Sequence, residues 1–202
     1  MKTYIKIIAI LFVNIVIAQE PPVLSTTSLA NPDQDLDVGR NGNYAMDTAN
    51  ERNQYVGTWQ YNQNGILFQI KIEKKDKFLN DAVYNGERIF YSYQDVVTFK
   101  YRLVKNGVTI YNNINQTGFP ALAIIPTAMK KGSSDKLYGD FHDAIKEVMG
   151  VVLITRLNTT PAKINFNLIL GEYYFTSNNH VPNPNEPLFT MPTGGIEMLK
   201  IN

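Results

Sequence analysis

From Val56 onward, apolar and polar side chains alternate with a period of two, and that pattern commits the chain to β-structure. Ile66, Phe68, Ile70 and Ile72 interleave with Leu67, Gln69, Lys71 and Glu73. Val97, Phe99, Tyr101 and Leu103 interleave with Thr98, Lys100 and Arg102; Ile164, Phe166, Leu168 and Leu170 with Lys163, Asn165 and Asn167. Successive strand side chains point to opposite faces, so each run buries one face and wets the other. Asn64-Gly65, between 56–61 and 66–73, and Asn106-Gly107, before 108–111, supply the positive φ of two-residue hairpin turns. Weaker strands are expected at 78–84, 89–93, 119–125, 137–142, 151–157 and 196–201. Residues 140–149 stay open between strand and helix, because Phe141, Ala144, Ile145 and Val148 also fall at helical spacing. A short helix is expected within 46–54, with Asp47 or Thr48 near its start. Residues 178–192, with Pro182, Pro184, Pro187 and Pro192, read as a loop before a closing strand.

The first eighteen residues are expected to be an address rather than structure. Lys2 and Lys6 precede an apolar run from 7 to 17, and Val16-Ile17-Ala18 offers small cleavage positions before Gln19. That run is too short to span a bilayer comfortably. Cleavage leaves 184 residues with 17 basic and 18 acidic side chains, a net charge of −1. A near-neutral chain carries no electrostatic footprint for nucleic acid or an anionic membrane. There is no cysteine, which excludes a lipid anchor at a lipobox and any disulfide; stability must come from an ordinary core. Residues 19–50, with Pro21, Pro22, Pro32 and several Ser and Thr, read as a flexible polar lead-in ending in the short helix. The β domain occupies 51–202.

Two resemblances follow. The layout resembles a flavobacterial secreted family known as a domain of unknown function. The matching features are the signal-like start, Asn50-Glu51 ahead of Tyr55-Val56-Gly57-Thr58-Trp59, and Phe189-Thr190-Met191-Pro192-Thr193 ahead of 196–201. This resemblance implies an exported bacterial protein. Gly57-Thr58-Trp59, holding the single tryptophan, also looks like the first-strand opening of lipocalins and their calycin relatives. Their barrels often hold one small apolar ligand, and they set an arginine from a late strand over that tryptophan. Arg156 is the late arginine that this likeness would use.

Candidates for chemistry are few. Asp33, Asp35 and Asp37 alternate like the front of a calcium loop, yet Val38 and Tyr44 stand where that loop needs glycine and a bidentate acid, so an acidic linker is the better reading. His142, one of two histidines, shares a strand face with Tyr138 and Asp140 and lies beside Asp143. No nucleophile accompanies it: Ser133 and Ser134 lack elbow spacing, and His142 with His180 cannot make a zinc site without cysteine. Tyr91, Tyr93, Tyr173 and Tyr174 suggest a sugar-stacking platform, although aromatics are ordinary strand-packing residues. Lys71, Lys74, Lys75 and Lys77 read as a solvated hairpin end.

The sequence therefore predicts an all-β protein, a single antiparallel up-and-down β-barrel of calycin type preceded by a short helix, with a β-sandwich as the alternative. The expected role is a secreted or periplasmic monomer that binds a small apolar or amphipathic ligand in its lumen, lined by Trp59, Phe68, Ile70, Phe99, Tyr101 and Phe166. The alternative is an extracellular or envelope module with a filled core that binds protein or glycan. A hydrolase built on His142 and Asp143 ranks last, so the expectation is no enzyme, no metal, no cofactor, no nucleic acid and no membrane span after cleavage. N-terminal sequencing of exported protein should return Gln19 as the first residue; recovery of intact Met1 outside the cell contradicts export.

Overall fold

The computed structural model describes residues 20–29, 40–117, 128–129, 136–169 and 186–202. The described residues form eleven strands: β1 (Ser25–Ser28), β2 (Asn43–Met46), β3 (Gly57–Gln63), β4 (Ile66–Tyr84), β5 (Glu87–Lys105), β6 (Val108–Asn112), β7 (Ala128–Met129), β8 (Lys136–Asp143), β9 (Val148–Leu157), β10 (Lys163–Ile169) and β11 (Ile196–Lys200). They make one sheet in the order β1-β2-β5-β4-β3-β11-β10-β9-β8-β7, with β6 also paired to β5. All pairings are antiparallel except β1 with β2 and β2 with β5.

The all-β expectation holds, but a closed barrel is not found: among the described residues the sheet remains open. The reason lies in β5. Its early part pairs with β2 at Tyr93 and Gln94, and its late part pairs with β6 from Arg102 to Lys105. The sheet forks there, and β6 and β7 are not joined. The rest follows a meander, and β11 returns between β3 and β10.

The hairpins form where the turns dictate. Asn64 and Gly65 sit at φ 52° and 73°, Asn106 and Gly107 at 48° and 80°. A third Asn-Gly pair, Asn85-Gly86 at φ 51° and 81°, makes the β4–β5 turn. It fuses segments that the sequence reading kept apart: 66–73 with 78–84, and 89–93 with 97–103. The result is a hairpin of two 19-residue strands. The lysine cluster therefore lies in mid-strand, not at a hairpin end. Lys77 has φ 50°, and the register shifts between Lys75 and Phe78, a bulge that bends the strand. Residues 140–149 resolve as strand, turn and strand. The 46–54 segment holds the end of β2 and only one 3₁₀ turn, Glu51–Gln54, whose Glu51 and Arg52 amides donate to the Asp47 carboxylate at 2.9 and 3.1 Å. The expected strand at 119–125 lies outside the described residues.

Beyond the bulge, β4 and β5 project as an arm whose end exposes Val83, Tyr84 and Ile89. Part of the supposed lead-in lies along this arm. Tyr93 and Tyr91 hydroxyls donate to the Pro21 and Pro22 carbonyls at 2.5 and 2.9 Å. Leu29, Asn43 and Ala45 are buried, so the described portions of 19–50 have more to bury than their composition indicates.

An ionic cluster sits at the bulge. Arg52, 4% exposed, contacts Asp47 at 2.9 Å, Asp95 at 3.2 Å and the exposed Asp76 at 2.8 Å, and donates to the Val96 carbonyl at 2.9 Å. Asp95 also accepts from the Tyr44 hydroxyl at 2.7 Å and the Asp47 and Lys77 amides at 2.9 Å each. Burial alone would raise the Asp95 pKa, but the Lys77 amide, Tyr44 hydroxyl, Asp47 amide and Arg52 charge together take it below the ordinary aspartate value. Burial and the neighbouring Asp95 push the Tyr44 hydroxyl up.

Removing one partner strands the other charges in the interior, which costs about 3–5 kcal/mol. Arg52→Met should lose that much in urea denaturation. A lowered native pKa stabilises the fold above the unfolded value of about 4, and the contribution fades as pH falls from there through the native value. Asp95→Asn should therefore flatten the acid limb of the stability profile, measured by denaturation from pH 6 to pH 2.

Candidate functional site

The six residues expected to line a lumen are brought together, and each is at most 1% exposed. They come from four strands: Trp59 on β3, Phe68 and Ile70 on β4, Phe99 and Tyr101 on β5, and Phe166 on β10. The sheet curls until its inner faces meet. Phe68 lies edge-on to Phe166 with ring centroids 5.3 Å apart and to Tyr101 at 6.1 Å. Phe141 of β8 bridges Tyr101 at 5.4 Å and Phe166 at 5.9 Å, while Tyr111 of β6 stacks on Tyr101 at 4.4 Å. Such edge-to-face contacts are worth about 0.5–1.5 kcal/mol each beyond area burial. These rings pack on one another.

Phe189 and Met191 join the same core from the proline-rich passage. Phe189 occupies the space over Gly150: a Cβ there would stand 2.5 Å from its ring and 2.9 Å from Leu168. The rest of that passage, 178–185, lies outside the described residues.

Trp59 is fully buried, and its indole N–H donates to the Tyr55 carbonyl at 2.7 Å. Arg156 of β9 and Lys200 of β11 place cationic groups 5.6 and 5.5 Å from its ring centre, within cation–π range. Arg156 is fixed there by donating to the Leu157 and Lys163 carbonyls at 2.9 and 2.6 Å. Gly57 is required by a close approach: at φ 129° its absent Cβ would meet the Asn202 carbonyl oxygen at 2.1 Å. The Thr58 amide donates to that same oxygen, and the Ile201 amide to the Thr58 carbonyl. The Gly-x-Trp opening is thus the seam where β11 docks on β3.

The pleat sets His142 and Asp143 on opposite faces of β8. Tyr138, Asp140 and His142 alternate outward, as expected; Leu137, Phe141 and Asp143 are buried. The Asp143 carboxylate accepts from the Ile145 and Lys146 amides at 3.0 and 3.2 Å and from the Thr190 amide. It organises the β8–β9 turn and pins the irregular passage around Phe189. Burial raises the Asp140 pKa. The Tyr101 hydroxyl accepts from the Ala144 amide at 3.3 Å; burial dominates and drives its pKa upward, and nearby Asp143 adds to the rise.

Tyr93 is buried and Tyr91 half-buried, and both hydroxyls are engaged as described. Tyr173, Tyr174, His180, Ser133, Ser134 and the Asp33–Asp37 run lie outside the described residues. No group of three His, Cys, Asp or Glu side chains is gathered for a metal among the described residues, and no described helix is long and apolar enough to cross a membrane.

Sequence reasoning missed the Arg52 cluster and the Asn85-Gly86 turn. Asp95 carried a usable signal: it falls on the inward register of Tyr93, Val97 and Phe99, where an acid demands a partner.

These features define a class, single-sheet all-β proteins with an aromatic side-chain core and a projecting hairpin. Within it, the chain belongs to a family of unknown function, DUF6705, whose match spans residues 1–140 and ends inside β8. No curated protein and no solved structure matches it. Trp59→Ala should cost about 3–5 kcal/mol as a large-to-small core change. The wild-type indole should emit at short wavelength and resist iodide quenching; a freely quenched indole contradicts its place in the core.

Proposed function

We propose that this protein is an exported, non-catalytic binding module of calycin-like build that meets its partner with its outer surface, its interior being a filled core. The observation that carries this reading is the mutual packing of Phe68, Tyr101, Phe141 and Phe166 at ring separations of 5.3 to 6.1 Å. A small-molecule site needs concave space of several hundred Å³, and these rings fill the ground a lumen ligand would take. The calycin-like part is supported by Arg156 reaching Trp59 from a late strand and by β11 returning beside β3. Export is supported by residues 1–18 as read from the sequence. An outward-acting role is supported by the arm, whose end presents Val83, Tyr84 and Ile89 to solvent, since exposed apolar side chains grouped at one end are a feature of contact surfaces.

The ligand reading and this one differ in what the purified protein carries. Native mass spectrometry of protein isolated from its own periplasm or medium should give the mass of the bare chain. A fatty-acid probe should find no saturable site. A stoichiometric co-purifying lipid, lost in Phe166→Trp, overturns the filled-core reading and restores the lumen ligand.

A further inference from the structure

We propose that the edge of β4 from Leu79 to Tyr84 adds antiparallel to the same edge of a second copy of this chain, about a two-fold axis at Asp81. The inference rests on the outward-acting reading above and gives the arm its partner. β5 occupies one edge of β4 along the whole arm, and β2 takes the far edge of β5 at Tyr93 and Gln94. β3 covers the other edge of β4 only as far as Ile72. Beyond that point no strand among the described residues pairs with this edge, and residues 80–84 are exposed. An open edge presents unpaired N–H and C=O groups, which proteins shield with lysines, bulges or proline. Lys74, Lys75, Lys77 and the bulge shield the stretch next to the body. From Leu79 to Tyr84 there is neither lysine nor proline, and β4 runs regular, because the second register shift leaves its extra residue, Ile89, on β5. The outer arm is a bare hairpin, which is marginal in water without a further strand.

Strand geometry limits how two such edges can meet. Alternate residues turn their backbone groups to the open side, so residues that face each other are both odd or both even, and the two-fold axis passes through a residue. An axis at Asn80 sets Leu79 against the partner's Asp81, and an axis at Ala82 sets Asp81 against the partner's Val83. Each buries a carboxylate against an apolar side chain. An axis at Asp81 sets Leu79 against the partner's Val83 and Asn80 against the partner's Ala82, and each match occurs twice. Val83, exposed on the single chain, then gains an apolar neighbour across the strands. The two Asp81 carboxylates meet at the axis, but each is already held by its own Arg88 at 2.9 Å, so anions and cations balance there. The segment is thus complementary to itself, which is what an interface between identical copies requires. The product is one continuous sheet, β5-β4 of one copy beside β4-β5 of the other.

Sedimentation equilibrium of the full exported chain tests the pairing: a dimer should form and dissociate on dilution. Val83→Glu, on an exposed side chain, should weaken it about tenfold or more. Leu79→Lys should weaken it likewise, and Leu79→Lys/Val83→Glu should recover it, because opposite charges then face each other at both matches. The chain has no cysteine, so a single introduced thiol reports the distance between copies. Residues opposed at the axis have Cα atoms about 4.5–5.5 Å apart, within disulfide reach, so Asp81→Cys should oxidise to a linked dimer. Leu79→Cys lies about 13 Å along the strand from its own copy and should stay unlinked. The proposal is overturned by a monomer at every concentration, by a dimer indifferent to Val83→Glu, or by a double variant no better than either single one. Equal linkage at positions 79 and 81, or lipid vesicles bound through the arm of a chain that stays monomeric, overturns it as well. These failures leave the filled core untouched; a co-purifying lipid would remove the filled core and leave the register test standing.

Discussion

One buried guanidinium holds this fold together at its waist. Arg52 reaches Asp47, the residue just after β2; it reaches β5 through Asp95 and the Val96 carbonyl, and the β4 bulge through Asp76. Without it, two interior carboxylates would face each other in a low-dielectric site, a cost no nearby apolar contact can offset. With it, the 3₁₀ turn, the bend in β4 and the parallel strand β2 are fixed relative to one another. Residues 20–29 are held separately, by β1 pairing with β2 and by the Tyr91 and Tyr93 hydroxyls.

The body of the sheet depends on a different constraint, close packing. Gly57 lets the Asn202 carbonyl pass where a methyl group would collide, and Gly150 makes room for the Phe189 ring. Both are positions where backbone or ring must come nearer than a Cβ permits. Through the first, β11 seals against β3; through the second, the passage before β11 is drawn over the core. Trp59 lies at the junction under two cations, so the opening strand, the late strand β9 and the closing strand β11 meet at one indole.

Chemistry is distributed unevenly between the two faces. Inward residues are mostly apolar or aromatic, and the buried acids Asp95 and Asp143 are occupied with backbone amides. Outward residues on β3–β6 carry amide and cationic groups in register, with fewer anions than cations.

The sequence by itself determined most strands after Val56, though not the joining of the long β4 and β5 or the early β1 and β2, along with the hairpins at Asn64-Gly65 and Asn106-Gly107, the inward set from Ile66 to Leu103 and the outward set beside it. These follow from local rules: side-chain alternation, and the positive φ that Asn and Gly tolerate. It also determined that Trp59 and the other five interior residues face one side. Tertiary structure alone decided whether that side encloses a lumen or a core, because sheet curl, not periodicity, sets the distance between Phe68 and Phe166. It likewise decided that Asp47, Arg52 and Asp95, spread over 40-odd positions, act as one group. Pairing between distant strands brings such residues together, and no local pattern records which strands will pair.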